Sequence, residues 1–255
     1  MAMKHVRATL GGALLIVSQS LIFGLATLPA LLFWQAVRNW TRGFAFFDPY
    51  GWYTLVATSI IPAYLIFAMA LMYMSAGWNR LVGWRTEPGE YAIHDYSWTV
   101  IKWGSYNASI NVVRVFVGEA LRSTPMWTAY LKANGADIGK GVYVNTARLF
   151  DHNLLHLKER AVVGGDAKLI AHLAEGGMIK ANPVILGARA VVGVNSVIGP
   201  GVEVGHDSAV GAMSFVPKGT IIPPNQAWGG VPARLIKVYE DNHFELEGQP
   251  GIPTY

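Results

Sequence analysis

The chain has 255 residues, of which 52% are hydrophobic, 12% aromatic and only 14% charged, with a net charge of +4 at pH 7 and no cysteine. These proportions exclude a disordered, collagenous or low-complexity protein and do not suit an ordinary water-soluble enzyme. The lack of cysteine excludes disulfides, thiolate metal sites and a cysteine nucleophile.

The positive excess lies in the apolar half. Residues 1–127 carry nine Lys and Arg against five Asp and Glu, whereas residues 128–255 carry eleven of each. Without a dense basic patch, this distribution points to an anionic membrane lipid as partner and away from nucleic acid. Residues 8–37 form a run of thirty uncharged residues between Arg7 and Arg38, longer than the roughly 20 needed to cross a bilayer core. A cleaved signal peptide competes for this stretch, with Lys4 and Arg7 as its basic start, but its apolar core should run only about 7–15 residues. A second uncharged run, 49–79, has Trp52, Tyr53, Tyr73 and Trp78 near its ends, where aromatic residues suit the two interfaces. Two transmembrane helices are expected. Lys4, Arg7, Arg80 and Arg85 outnumber Arg38 and Arg42 of the connecting loop, which places the C-terminal half on the cytoplasmic side of a multi-pass cytoplasmic-membrane protein.

From about Tyr96 to Lys132 the chain becomes amphipathic. Ile110, Val113, Phe116, Val117, Ala120 and Leu121 recur at helical spacing, with Arg114, Glu119 and Arg122 between them. This helix lies either in the headgroup layer or against the core of the following domain.

That domain repeats every six residues. Leu186, Val192, Ile198, Val204 and Val210 each precede a glycine, Val216 and Ile222 precede proline, and Trp228 precedes Gly229. Four positions after each aliphatic residue stand Ala190, Ser196, Val202, Ser208, Ser214 and Thr220, nearly all small. A period of six fits neither an α-helix nor a simple alternating strand and predicts a parallel β-helix, its aliphatic side chains filling a prism and its glycines allowing the backbone angles of the corners. The phase is more ragged upstream at Ile138 and Val144, then shifts by one at Leu157, Val163 and Leu169. Residues 171–183 interrupt the register and carry His172. Insertions into solenoids often carry function.

The repeat, the looped-out His172 and the closing Trp228-Gly229-Gly230-Val231-Pro232-Ala233-Arg234 resemble the hexapeptide-repeat acyltransferases over about residues 135–237. A narrower resemblance, to the membrane-bound C-terminal region of poly-lysine-synthetase-like peptide synthetases, is carried by residues 135–146, Arg148, Leu149, Asp151, His172, Leu173 and Met178. The chain departs from that subgroup in the histidines around Asp151 (His152 and His156) and contains no adenylation or carrier domain. The resemblance implies an all-β left-handed parallel β-helix acting as a homotrimer. The resulting organisation is a membrane anchor at 1–95, an amphipathic helical linker at 96–134, the catalytic β-helix at 135–237 and a C-terminal tail at 238–255. It implies transfer of an acyl or aminoacyl group from an acyl-CoA or carrier-protein thioester, a co-substrate rather than a tightly bound cofactor, to an amine or hydroxyl. A carrier protein or peptide synthetase is then a possible partner.

Acyl transfer needs a base for the attacking group. His172 is the candidate, matching the family's histidine, against the competing role of a solvated loop residue. Asp151 and Glu175 are candidates to orient it, and both also suit a surface. His206 is expected to be solvated. Lys218, Arg234 and Lys237 are candidates for the donor's phosphates, with ordinary solubility as the alternative, and Ala212 and Ser214 are implied to touch pantetheine. No metal is expected. The alternatives are a carbonic-anhydrase-like metal hydratase on the same fold, which would use His152, His156 and His172 as ligands, and a non-catalytic scaffold subunit of a membrane complex.

Overall fold

The computed structural model describes residues 2–42 and 50–239, together with the backbone at 245–246 and 249–250. The tail expected at 238–255 lies largely outside the described residues. Helix α1 spans Ala2–Thr41 and α2 spans Tyr50–Leu81, and both are long and apolar enough to cross a membrane. At ~1.5 Å per residue, α1 reaches about 60 Å, twice the hydrocarbon thickness of a bilayer. Its N-terminal part therefore has length to spare, and it packs closely on the rest of the chain: a Cβ at Gly11 would come within 3.0 Å of Ile101. Ile22 and Ala26 of α1 are buried, as are Ala68, Leu71 and Met72 of α2, and Phe23 meets Phe67 edge to face at 5.2 Å. Leu14, Val17, Leu21, Leu25, Ile60 and Ile61 are exposed on the outer faces, an arrangement that favours hydrocarbon over water.

The stretch expected as one amphipathic helix is divided. Helix α3 runs Trp98–Val113, followed by a π turn at Arg114–Gly118, a short α4 at Glu119–Leu121 and α5 at Pro125–Ala133. Side-chain caps fix the starts, since Ser97 accepts from the Val100 amide and Thr124 accepts from the Trp127 amide, with Pro125 in the first turn of α5. Val100, Tyr106, Ile110 and Val113 are buried, so this face of α3 packs against the rest of the chain. The wider π turn changes the phase of the stripe. Val117 and Leu121 stay buried, while Phe116 is exposed apart from an edge contact with Phe23 at 4.9 Å.

From Asp137 onward, short strands stack in parallel. Leu186 pairs with Val204 and Val204 with Ile222, while Val192 pairs with Val210 and Ile198 with Val216. Each partner lies 18 residues on, so a coil is three hexapeptides, and sheets of five, six and three strands form its sides. The aliphatic residues from Leu186 to Ile222 are at most 1% exposed, and Ala190, Ser196, Val202 and Ser208 fill the space beside them.

The glycines act differently from the expectation. Left-handed backbone angles fall two residues later, as at Asn195 (φ 56°) and Asp207 (φ 57°). Gly193 is required instead by the spacing between coils, because a Cβ there would stand 2.5 Å from the Ala212 backbone nitrogen. Upstream, Leu157 pairs with Leu186, 29 residues on, and Ile138 pairs with Leu157, 19 residues on. The long coil accommodates the insertion, and the single extra residue accounts for the phase shift.

The two ends of the β-helix are finished differently. Trp127, Tyr130 and Leu131 of α5 are buried against the first coil, and the Trp127 indole donates to the Thr146 carbonyl at 3.0 Å. At the far end, Gln226–Gly230 pairs antiparallel with Ala233–Val238, so the closing sequence forms a strand pair that ends the six-stranded side, while Phe215–Val216 and Ile221–Ile222 are the last strands of the other two.

Candidate functional site

The insertion folds into a hairpin of strands His172–Glu175 and Met178–Ala181. Its turn residues, Gly176 and Gly177, have φ of 60° and 76°, the paired positive angles that a two-residue hairpin turn requires and glycine adopts at no steric cost. The strand Gly89–Ala92, which follows α2, pairs antiparallel with Met178–Ala181. The hairpin bearing His172 thus supplies the central strand and one edge of a three-stranded sheet whose other edge, Gly89–Ala92, belongs to the segment after the apolar helices.

Asp151 approaches from the β-helix. It has a left-handed backbone (φ 51°) ahead of a 3₁₀ turn at His152–Leu154, a conformation that aspartate tolerates better than most residues. Its side chain is fully buried, and Oδ2 lies 2.5 Å from Nδ1 of His172. An ionised carboxylate only accepts, so Nδ1 is the donor in this pair, and in the neutral ring Nε2 carries the lone pair. The remaining carboxylate oxygen, Oδ1, accepts from the Thr86 hydroxyl at 2.6 Å and from Nδ2 of Asn107 at 2.8 Å. The imidazole retains 21% of its exposure and meets Trp103 edge to face at 5.0 Å and Phe150 at 6.4 Å. Arg114, at the start of the π turn, sits over the Phe150 ring at 5.8 Å, and π turns recur at functional sites. The Trp103 indole nitrogen, Asn107 Oδ1 and the Tyr91 hydroxyl are buried without partners among the described residues. Burial, and then the Asp151 charge, pushes the Tyr91 phenol above its ordinary value and keeps it neutral.

The other sequence candidates divide. Of the two carboxylates expected to orient His172, Asp151 reaches it, whereas Glu175 pairs with Lys218 and, at 3.3 Å, with Lys180. Those two ammonium groups, Lys218 first, hold the Glu175 carboxyl below its usual range. Lys218 is half-exposed in this pair on the hairpin. Ser214 departs from the implied pantetheine contact. It occupies the small interior position of its hexapeptide at 2% exposure, where its hydroxyl accepts from the Gly230 amide at 3.1 Å. Ala212 is exposed beside it. Arg234 is exposed on the closing strand pair, directly opposite Gly229, and Lys237 lies over the Tyr239 ring at 5.5 Å. His206 is half-exposed and pairs with Asp207 at 2.8 Å.

The three histidines of the hydratase alternative do not converge within one chain. His152 is fully buried among Trp127 and Tyr130, and neither ring nitrogen makes a well-formed hydrogen bond among the described residues. Burial lowers its pKa to about 4, against weaker opposite pulls from Asp151 and the Leu149 carbonyl. His156 lies 3.5 Å from Asp137. Among the described residues, no three His, Asp or Glu side chains are placed to hold a metal ion.

Sequence reasoning missed Thr86 and Asn107. They lie 65 and 44 residues before Asp151, outside the repeat and without any periodic or motif signal.

No protein-family model matches the chain. The delta-poly-L-ornithine synthetase of Acinetobacter baumannii (strain AB307-0294) is 31% identical over 139 residues, which cover 53% of this chain and 10% of that protein. The chain therefore matches only about a tenth of the length of this curated relative. Among solved structures, a hexapeptide-repeat acetyltransferase of Vibrio cholerae O1 biovar eltor complexed with acetyl coenzyme A aligns with a TM-score of 0.45 and 17% identity, over 57% of this chain and 91% of that one. A maltose O-acetyltransferase from Clostridium difficile 630 aligns at 0.40 and 18% identity, over 60% and 94%. A galactoside acetyltransferase in complex with coenzyme A aligns at 0.41 and 20%, over 58% and 88%. The narrower resemblance to peptide synthetases has its counterpart in the match to the delta-poly-L-ornithine synthetase.

Proposed function

We propose that this chain is a membrane-anchored acyltransferase that moves an acyl or aminoacyl group from a coenzyme A or carrier-protein thioester to an amine or hydroxyl. The observation that carries the proposal is the buried Asp151 carboxylate bonded to Nδ1 of His172 at 2.5 Å, on a hairpin that leaves the regular β-helix. This bond fixes the tautomer in which Nε2 is the base. Nε2 takes the proton of the attacking N–H or O–H as the new bond forms to the thioester carbonyl carbon. The tetrahedral intermediate then collapses with loss of the C–S bond, and the imidazolium returns the proton to the departing thiolate. Asp151 holds and stabilises the imidazolium between these steps.

The remaining assignments belong to the same proposal. The β-helix winds left-handed and assembles as a homotrimer, with the donor running between subunits past Ala212 towards Arg234 and Lys237. Helices α1 and α2 span the cytoplasmic membrane and hold the site near the cytoplasmic surface, within reach of a carrier protein. The proposed division into domains is an anchor at 1–95, a linker at 96–134, a catalytic β-helix at 135–237 and a tail at 238–255. His172→Ala should leave the fold intact and slow the chemical step by about 10²–10⁴-fold, the usual contribution of a positioned base, while donor binding survives. Parental turnover in that variant, with His156→Ala inactive, would move the site away from His172.

A further inference from the structure

A buried ionised carboxylate is tolerated only where its lone pairs meet donors. Asp151 is 0% exposed, and its carboxylate is satisfied from two directions. His172 takes Oδ2, while Thr86 and Asn107 both donate to Oδ1. Neither donor belongs to the β-helix, since Thr86 lies between α2 and the strand Gly89–Ala92, and Asn107 is on α3.

Thr86 is itself held firmly. It is 1% exposed, its amide donates to Oδ1 of Asn153 at 3.2 Å, and its carbonyl accepts from Nδ2 of Asn153 at 2.8 Å. One side-chain amide, two residues beyond Asp151, thus engages both backbone groups of Thr86. Three residues further on, the same segment pairs through Gly89–Ala92 with the hairpin that bears His172. Asp151 and His172 are therefore tied to one short connector from opposite sides, Asp151 through Thr86 and His172 through the strand pairing.

We propose that Thr86 and Asn107 are positioning residues. They lock the rotation of the Asp151 carboxylate so that Oδ2 faces the His172 ring, which makes the connector after the apolar helices a part of the catalytic centre. This rests on His172 being the base. A carboxylate held by one contact can turn about its Cα–Cβ and Cβ–Cγ bonds. Two further donors on the opposite oxygen remove that freedom and with it the alternative orientations of the imidazole.

The test uses the full chain in detergent micelles. Thr86→Val keeps the shape and loses the hydroxyl, Thr86→Ser keeps the hydroxyl, and Asn107→Leu loses the amide. Single-turnover measurements with acetyl-CoA as donor probe and a simple primary amine as acceptor should show kcat lowered about tenfold in Thr86→Val and in Asn107→Leu, the loss expected for one hydrogen bond to a charged group. KM for the donor should be unchanged, and Thr86→Ser should restore the rate. Because Thr86 acts through Asp151, adding Thr86→Val to Asp151→Asn should slow it no further.

A second readout needs no turnover. The low-field proton resonance of the His172 Nδ1–H, assigned by its loss in His172→Asn, should shift or broaden in Thr86→Val and Asn107→Leu and return in Thr86→Ser. An unchanged resonance and rate in Thr86→Val would overturn the proposal, as would effects that multiply with Asp151→Asn. A resonance that responds to Thr86 in a protein that transfers no acyl group would instead retain the positioning and refute the proposed function.

Discussion

The burial of His152 sets a dependence of stability on pH that can be worked out from its surroundings. The ring is fully enclosed, and its pKa falls from 6.5 to about 4 in the folded chain. The unfolded chain therefore binds a proton between these values that the folded chain refuses. Its stabilising contribution is complete above pH 6.5 and is lost as pH falls towards 4. Each pKa unit corresponds to about 1.4 kcal/mol, so the total loss is about 3 kcal/mol, most of it reached by pH 4.5. The carboxylates of Asp137, Glu175 and Asp207 are held below their ordinary values by their basic neighbours, although burial opposes this at Asp207. Their interactions are lost only at lower pH, which leaves the window from 6.5 to 4.5 to histidine. For a chain of this size the loss corresponds to a fall in unfolding midpoint of roughly 5–10 °C. Thermal unfolding of the detergent-solubilised chain at pH 7.5 and 4.5 measures it, with His152→Phe as the reference that keeps a flat ring between Trp127 and Tyr130. The variant should lose most of the pH dependence. If His152→Phe falls by as much as the parent between these pH values, the argument from burial is refuted.

Three further outcomes are expected. Gly193→Ala should destabilise by about 1–3 kcal/mol or more, because its Cβ meets the next coil's backbone at 2.5 Å. Gly165→Ala, whose Cβ would meet Asn145 Nδ2 at an ordinary contact distance of 3.6 Å, should be neutral or mildly stabilising, so denaturant midpoints that place the two together would count against the stacking. Val204→Asp would put an unpaired charge at a site 1% exposed, at a cost of several kcal/mol. Parental yield and thermal stability of that variant would contradict the inward register. Alkaline carbonate should leave the chain in the membrane pellet, as expected of α1 and α2 spanning a bilayer, since salt and alkali weaken only electrostatic attachment. Release of intact chain into the supernatant would argue against spanning.

Local pattern was enough to define two apolar helices, a six-residue repeat from Leu186 to Trp228, an insertion at 171–183 and the single histidine within it. Each of these is a periodicity or a break in one, and burial on a fixed lattice imposes periodicity directly on sequence. Even the one-residue phase shift between Ile138 and Leu157 was visible, because every coil must return its aliphatic side chains to the same interior. Other features were settled only by the tertiary structure. The same amphipathic stripe serves a headgroup layer or a protein core, and the division of 98–133 into α3, a π turn, α4 and α5 depends on what each turn packs against. Asp151 and Glu175 were equivalent carboxylates in sequence. The fold buries one against His172 and turns the other towards Lys218 and Lys180. Thr86 and Asn107 left no trace in the pattern, because a hydrogen bond to a buried carboxylate needs one donor at one point in space. The chain supplies those donors from 65 and 44 residues away, where only the packing of α3 and of the segment after α2 brings them to Asp151.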